Sequence, residues 1–206
     1  MVRKSEETLE HQIARNIYFT PVFPFIAGIT FINVPEWSNF FSIICGIVML
    51  ILLIRVLIGY FQEKHMDQKW HALTVVITSD ISGLFCMLLI WRVLGHPIWL
   101  LIALLSIFII CLSLSHHYRK TIAISIFNPR KTLFGKLYYI LGVVIVGLAG
   151  GGTYGLARFL QLTYGQNTAL LIICSMLVPF GIWLIIGFHS MWVRVENPEF
   201  DFKQDS

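Results

Sequence analysis

Long apolar runs, interrupted at short intervals by clusters of charged residues, set the layout of this 206-residue chain. Six runs read as helices crossing a hydrocarbon layer about 30 Å thick, at about 1.5 Å of rise per residue. They cover residues 17–32, 39–61, 72–94, 97–115, 137–159 and 168–192. The first is short, about 24 Å as a helix, and contains Pro21 and Pro24. It is read as a kinked span, because neighbouring helices can re-satisfy backbone groups that proline frees. The pattern predicts an all-α integral membrane protein, a bundle of about six transmembrane helices. Residues 17–192 form that domain, between a polar N-terminal segment, 1–16, and a short tail, 193–206. The N-terminal segment mixes acids and bases with no small-residue cleavage site after it, which suits a short helix better than a signal peptide.

Charge supplies the orientation. Of the fifteen Lys and Arg residues, all but Arg92 and Arg158 fall on the side of the two termini and the two longer links. Basic groups resist translocation, so that side, with both termini, is predicted to be cytoplasmic. Arg92 and Arg158 lie at helix ends, from which a long side chain can snorkel into the headgroups. Trp37, Trp91 and Trp99 fall at the outer level and Trp70 and Trp192 at the inner one, in the manner of an aromatic belt, with Trp183 deep.

Composition excludes a soluble domain: 57% of residues are hydrophobic and only 13% charged, too little polar surface to cover a water-soluble core. The net charge of +4 is spread along one edge of the bundle and not gathered on a folded face. Anionic lipid headgroups, not nucleic acid, are its expected counterpart. A compact chain with short links and no glycosylation requirement suggests a bacterial plasma membrane.

Of the eleven acidic residues, Asp80 alone lies inside an apolar span, within Thr78-Ser79-Asp80-Ile81-Ser82. A carboxylate there requires a partner. Measured from the cytoplasmic ends of their spans, Asp80 is about 12 Å deep and Arg55 about 9 Å. The short link between spans two and three makes them antiparallel neighbours, so an Asp80–Arg55 salt bridge is expected. An interhelical clamp is the preferred role; a proton or cation site with Thr78, Ser79 and Ser82 as ligands is the alternative.

Gly147, Gly151 and Gly155 recur every fourth residue in the fifth span. Small residues at that spacing let another helix approach closely, from the same chain or from a partner subunit. In the link 116–136, apolar residues interleave with Arg119, Lys120, Arg130 and Lys131, which predicts a segment on the membrane surface in contact with anionic lipid or a cytoplasmic partner.

His65, His71, His116, His117 and His189 all map near the cytoplasmic surface, without the spacing of a metal-binding motif. Cys45, Cys86, Cys111 and Cys174 lie in the spans with no Cys-x-x-Cys pair and read as packing residues. No metal, cofactor or catalytic residue is assigned. The expected function is that of a non-catalytic accessory, regulatory or immunity-type subunit of a membrane complex, with a membrane-protein partner or a second copy of itself. The alternatives are a small-solute or ion transporter or binding subunit using Asp80, and a lipid-modifying enzyme using the cytoplasmic-face histidines.

Overall fold

A computed structural model describes residues 16–64, 67–147 and 153–197, and all their regular structure is helical. A 3-10 turn, Asn16–Phe19, leads into α1 (Val22–Asn33). Then come α2 (Asn39–Phe61), α3 (Gln68–Val93), α4 (Ile98–His117) and the short α5 (Arg119–Phe127). The last four are α6 (Leu133–Gly147), α7 (Thr153–Tyr164), α8 (Gln166–His189) and, after the 3-10 turn Ser190–Trp192, α9 (Val193–Glu196).

Among the described residues, five stretches are long and apolar enough to cross a membrane: Asn16–Asn33, Asn39–Phe61, Gln68–Val93, Ile98–His117 and Gln166–Trp192. They correspond to predicted spans one, two, three, four and six. The predicted fifth span is described as two shorter helices, α6 and α7, flanking residues 148–152, which lie outside the described part. The link expected over 160–167 shrinks to Gly165, whose φ of 82° suits a residue without a Cβ. Its N–H donates to the Gln161 carbonyl at 3.1 Å, and its own carbonyl accepts from Ala169 N–H at 3.1 Å.

Local chemistry fixes the other ends. Asp67 caps α3 by accepting from the backbone N–H groups of Lys69 at 2.9 Å and Trp70 at 3.3 Å, donors that a helix start leaves without intrahelical partners. The α3–α4 turn passes through Gly95 and His96, both in the left-handed region. There the His96 ring stacks on Phe41, their centroids 5.7 Å apart, and meets Trp91 edge-on.

The core is built around α3, the most enclosed of the long helices. Three stripes at helical spacing serve three partners. Trp70, Thr74, Ile77 and Ile81 face α2. Phe85, Leu89 and Arg92 face α1, where Phe85 stacks on Phe31 beside Cys45 and Cys174. Asp80, Gly83 and Met87 face α8, the helix α3 contacts most extensively. That contact is close because both helices offer glycine at the crossing. A Cβ at Gly181 would stand 2.6 Å from the Gly83 carbonyl oxygen, and one at Gly83 would stand 2.8 Å from that of Gly181. Where lipid supplies no hydrophobic drive between helices, such backbone approach maximises dispersion contact. In contrast, α2 packs mainly on α1 and touches α3 only lightly, although one short link joins them.

The segment after α4, expected on the membrane surface, forms a helix that packs on the chain's own C-terminal part. Ala123 of α5 and Val193 of α9 are both fully buried against each other.

Candidate functional site

The intramembrane carboxylate has a partner, and it is not Arg55. His189 Nε2 lies 3.2 Å from both Oδ1 and Oδ2 of Asp80, bridging α3 and the end of α8. The expected Asp80–Arg55 bridge is therefore corrected. Asp80 is six residues beyond Thr74, the α3 residue that Arg55 does reach. At about 100° per residue this turns it roughly 120° away from the α2-facing stripe and carries it about 9 Å along the helix. The pair is enclosed without being sealed: the side chains retain 18% exposure at Asp80 and 10% at His189.

Two of the hydroxyls around Asp80, those of Thr78 and Ser82, are committed to their own helix. Thr78 Oγ1 donates to the Thr74 carbonyl at 2.8 Å, and Ser82 Oγ donates to the Thr78 carbonyl at 2.7 Å. One turn below, Thr74 Oγ1 donates to the Trp70 carbonyl at 2.7 Å. Ser79 is buried beside them. Thr78, Ser79 and Ser82 thus accompany the carboxylate in sequence, whereas its charge partner comes from the opposite helix.

Arg55 is engaged differently. Its Nε donates to Thr74 Oγ1 at 3.2 Å, and its guanidinium carbon lies 5.7 Å from the centroid of the Trp70 ring. Its Nη2 is buried with no hydrogen-bond partner.

The second arginine, Arg92, is buried and does not snorkel. Arg92 is 3% exposed and turned inward, donating from Nη1 to the Phe31 carbonyl and from Nη2 to the Glu36 carbonyl at 2.9 Å. Phe31 lies in the last turn of α1, where carbonyls lack intrahelical donors and the helix dipole favours a cation. The rings of Phe31 and Phe41 flank the guanidinium, with centroids 5.3 and 4.6 Å from its carbon.

Of the basic residues expected to contact lipid or a partner, Arg119 is held within the chain. Its Nε and Nη2 form a fork on the Glu196 carboxylate at 2.9 and 2.5 Å, and Nη1 donates to the His116 carbonyl at 2.5 Å. Lys120, Arg130 and Lys131 are exposed on the same edge. Gly147 and Gly155 have open space where a Cβ would stand, and Gly151 lies outside the described residues. The glycines that do admit a neighbour on the α6–α8 contact are Gly142, beside Trp183, and Gly187, beside the Tyr138 hydroxyl. The Trp183 indole stacks on Tyr138 and donates to its carbonyl at 3.1 Å.

The histidines divide by role. His116 meets His189 edge-on with centroids 6.2 Å apart, His117 packs against Tyr118, and His65 lies outside the described residues. Among the described residues no three His, Cys, Asp or Glu groups converge in a way that could hold a metal ion. All four cysteines are free thiols.

Sequence reasoning missed His189 as the partner of Asp80 because the two are 109 residues apart. The usable signal was Gly83 and Gly181, each standing three to eight residues from one member of the pair, in two helices that are not consecutive. Fold and site together define an all-helical protein with several helices apolar enough to cross a membrane, in which one carboxylate–imidazole pair joins two of them. Comparison with known proteins finds no matching family model, no similar curated protein and no similar solved structure.

Proposed function

We propose that this chain is a non-catalytic, multi-pass membrane protein acting as an accessory, regulatory or immunity-type subunit of a membrane complex. In this reading six helices cross a bacterial plasma membrane, both termini are cytoplasmic, and anionic lipids meet the basic edge. One observation carries the proposal: Arg55 apart, whose Nη2 has no hydrogen-bond partner, the principal polar side chains within the bundle bind one another or the backbone. Asp80 meets His189, Arg92 meets the carbonyls of Phe31 and Glu36, and Thr74, Thr78 and Ser82 donate to their own helix. Catalysis or conduction needs polar groups free to meet a substrate. A protein that works through its outer faces can use such groups to hold its shape. Those faces include the open glycines Gly147 and Gly155 and the apolar flanks of α2 and α4.

The test is native mass spectrometry of the protein taken from its own membrane in mild detergent. A stoichiometric second polypeptide, lost from the doubly substituted Gly147→Leu, Gly155→Leu chain while insertion is unchanged, is the expected result. A chain without a polypeptide partner would overturn the proposal.

A second reading is favoured by the residual exposure of the Asp80–His189 pair. A carboxylate and an imidazole open to a small solute or ion can hold a proton or a cation between two helices. Under that reading the protein carries a small bound mass that disappears in Asp80→Asn.

A further inference from the structure

Arg55 is the one charged residue within α2, and among the described residues it has no ion-pair partner. Among the described residues the two ion pairs are Arg119–Glu196 and His189–Asp80, so neither Asp80 nor Glu196 compensates it. Its contacts are one neutral hydroxyl and one indole face, and Nη2 has no hydrogen-bond partner at all. A guanidinium in the interior of an apolar span is costly unless an anion meets it. Lys64, just beyond the end of α2, likewise has no ion-pair partner among the described residues.

Both cations line the same cleft. It lies between α2 and α3, where the two helices pack lightly, and encloses about 620 Å³. Its walls are apolar, formed largely by Ile51, Ile58, Ile77 and Ile81, with Trp70 beside Arg55. Ile51 and Ile58 are exposed on the outer side of α2, so the cleft opens where acyl chains would lie.

We infer that this cleft binds one anionic phospholipid, its phosphate held between Arg55 and Lys64 and an acyl chain lying along the isoleucine walls. Arginine presents a planar fork that suits phosphate oxygens, and lysine adds a second point charge at the mouth. A free anion would satisfy the charges but would leave the apolar walls without a partner. A zwitterionic phospholipid would fit the walls but brings its own cation towards two others. The occupant thus differs from the general lipid contact of the basic edge, being a single molecule held at defined residues.

The experiment is to exchange the full-length protein into lipid-free detergent and titrate it with phosphatidylglycerol, phosphatidylcholine or inorganic phosphate. Bound lipid is counted by native mass spectrometry. One phosphatidylglycerol per chain is expected to bind at least about tenfold more tightly than phosphatidylcholine, following from one lost charge contact of roughly 1.4 kcal/mol. Arg55→Gln should remove that preference, Lys64→Gln should reduce it several-fold, and Lys120→Gln should leave it intact. Since Arg55→Gln also removes the Thr74 contact, Ile77→Trp is the companion variant, filling the cleft without altering either charge; it should expel the lipid. Equal binding of the two lipids, or unchanged phosphatidylglycerol binding in both Arg55→Gln and Ile77→Trp, would overturn the inference. So would inorganic phosphate that displaces the lipid at comparable concentration, since that would assign the site to a free anion.

Discussion

His189 Nε2 sits equidistant from the two Asp80 carboxylate oxygens, at 3.2 Å from each, and so joins the most enclosed helix, α3, to the last long one, α8. A hydrogen bond to a charged group contributes roughly 1.5–3 kcal/mol, and partial exposure places this one toward the lower part of that range. Asp80→Leu and His189→Leu should each lower the thermal midpoint in detergent. Coupling in the Asp80→Asn, His189→Gln cycle should reach at least about 0.5 kcal/mol. The corresponding cycle of Asp80→Asn with Arg55→Gln should be additive, because those side chains face different helices. Strong coupling in the second cycle and none in the first would contradict the pairing.

Backbone contact between α3 and α8 leaves no room for a methyl group. Gly181→Ala places a carbon against the Gly83 carbonyl, and the helices must separate to admit it. Overpacking of this kind costs roughly 1–3 kcal/mol. Gly46→Ala, which meets nothing within 4 Å inside α2, is the matched control and should be neutral or stabilising by up to about 1 kcal/mol. Unfolding of the three proteins in the same detergent measures the difference.

Replacing Arg92 by lysine keeps a charge but loses the fork that reaches two carbonyls at once. The ammonium cannot span Phe31 and Glu36 while lying between two aromatic rings. A loss of roughly 1–3 kcal/mol is expected from one orphaned buried carbonyl. Hydrogen exchange should rise at the end of α1 before it rises elsewhere. Uniform loosening of the whole bundle would mean that Arg92 does not act at that helix end.

The Arg119–Glu196 fork lies nearer solvent, with the side chains 20% and 31% exposed, and should behave as a surface pair. Glu196→Gln is expected to cost about 0.5 kcal/mol at low salt and almost nothing at 1 M salt, where screening acts within about 3 Å. A salt-independent loss would indicate that packing of α9 on α5, and not charge, is what the substitution disturbs.

Helices were legible because hydropathy and punctuation agree. Asn39–Phe61 ends where the apolar run ends, and Gly95 marks the end of α3 in the sequence as in space, whereas α3 begins at Gln68, behind its Asp67 cap, four residues before the apolar run predicted from 72. Pairing between helices was less legible. Chain proximity suggested that α2 and α3 pack against each other, yet α3 turns its glycine toward α8 and leaves a cleft beside α2. A single Gly83 or Gly181 carries little signal by itself, while the regular Gly147, Gly151 and Gly155 series is conspicuous and its two described members are open. The inward turn of Arg92 was hidden for a similar reason. A residue at a helix end can reach headgroups or the end of a neighbouring helix, and only the position of α1 decides between them.

The distance in sequence between Asp80 and His189 sets an order of assembly. Contacts of α3 with α1 and α2, through Arg92 and Thr74, join segments synthesised in immediate succession, but the partner of its carboxylate follows 109 residues later. At about 5–20 residues per second the ribosome needs roughly 5–20 s to cover that interval. During that time the half-made protein holds an acidic group whose partner, the His189 imidazole, is not yet made. α3 therefore stays without its α8 contact until that helix emerges and closes the bundle. A chain interrupted before α8 would keep that carboxylate exposed to the membrane interior, a mark by which quality-control proteases could tell an unfinished copy from a finished one.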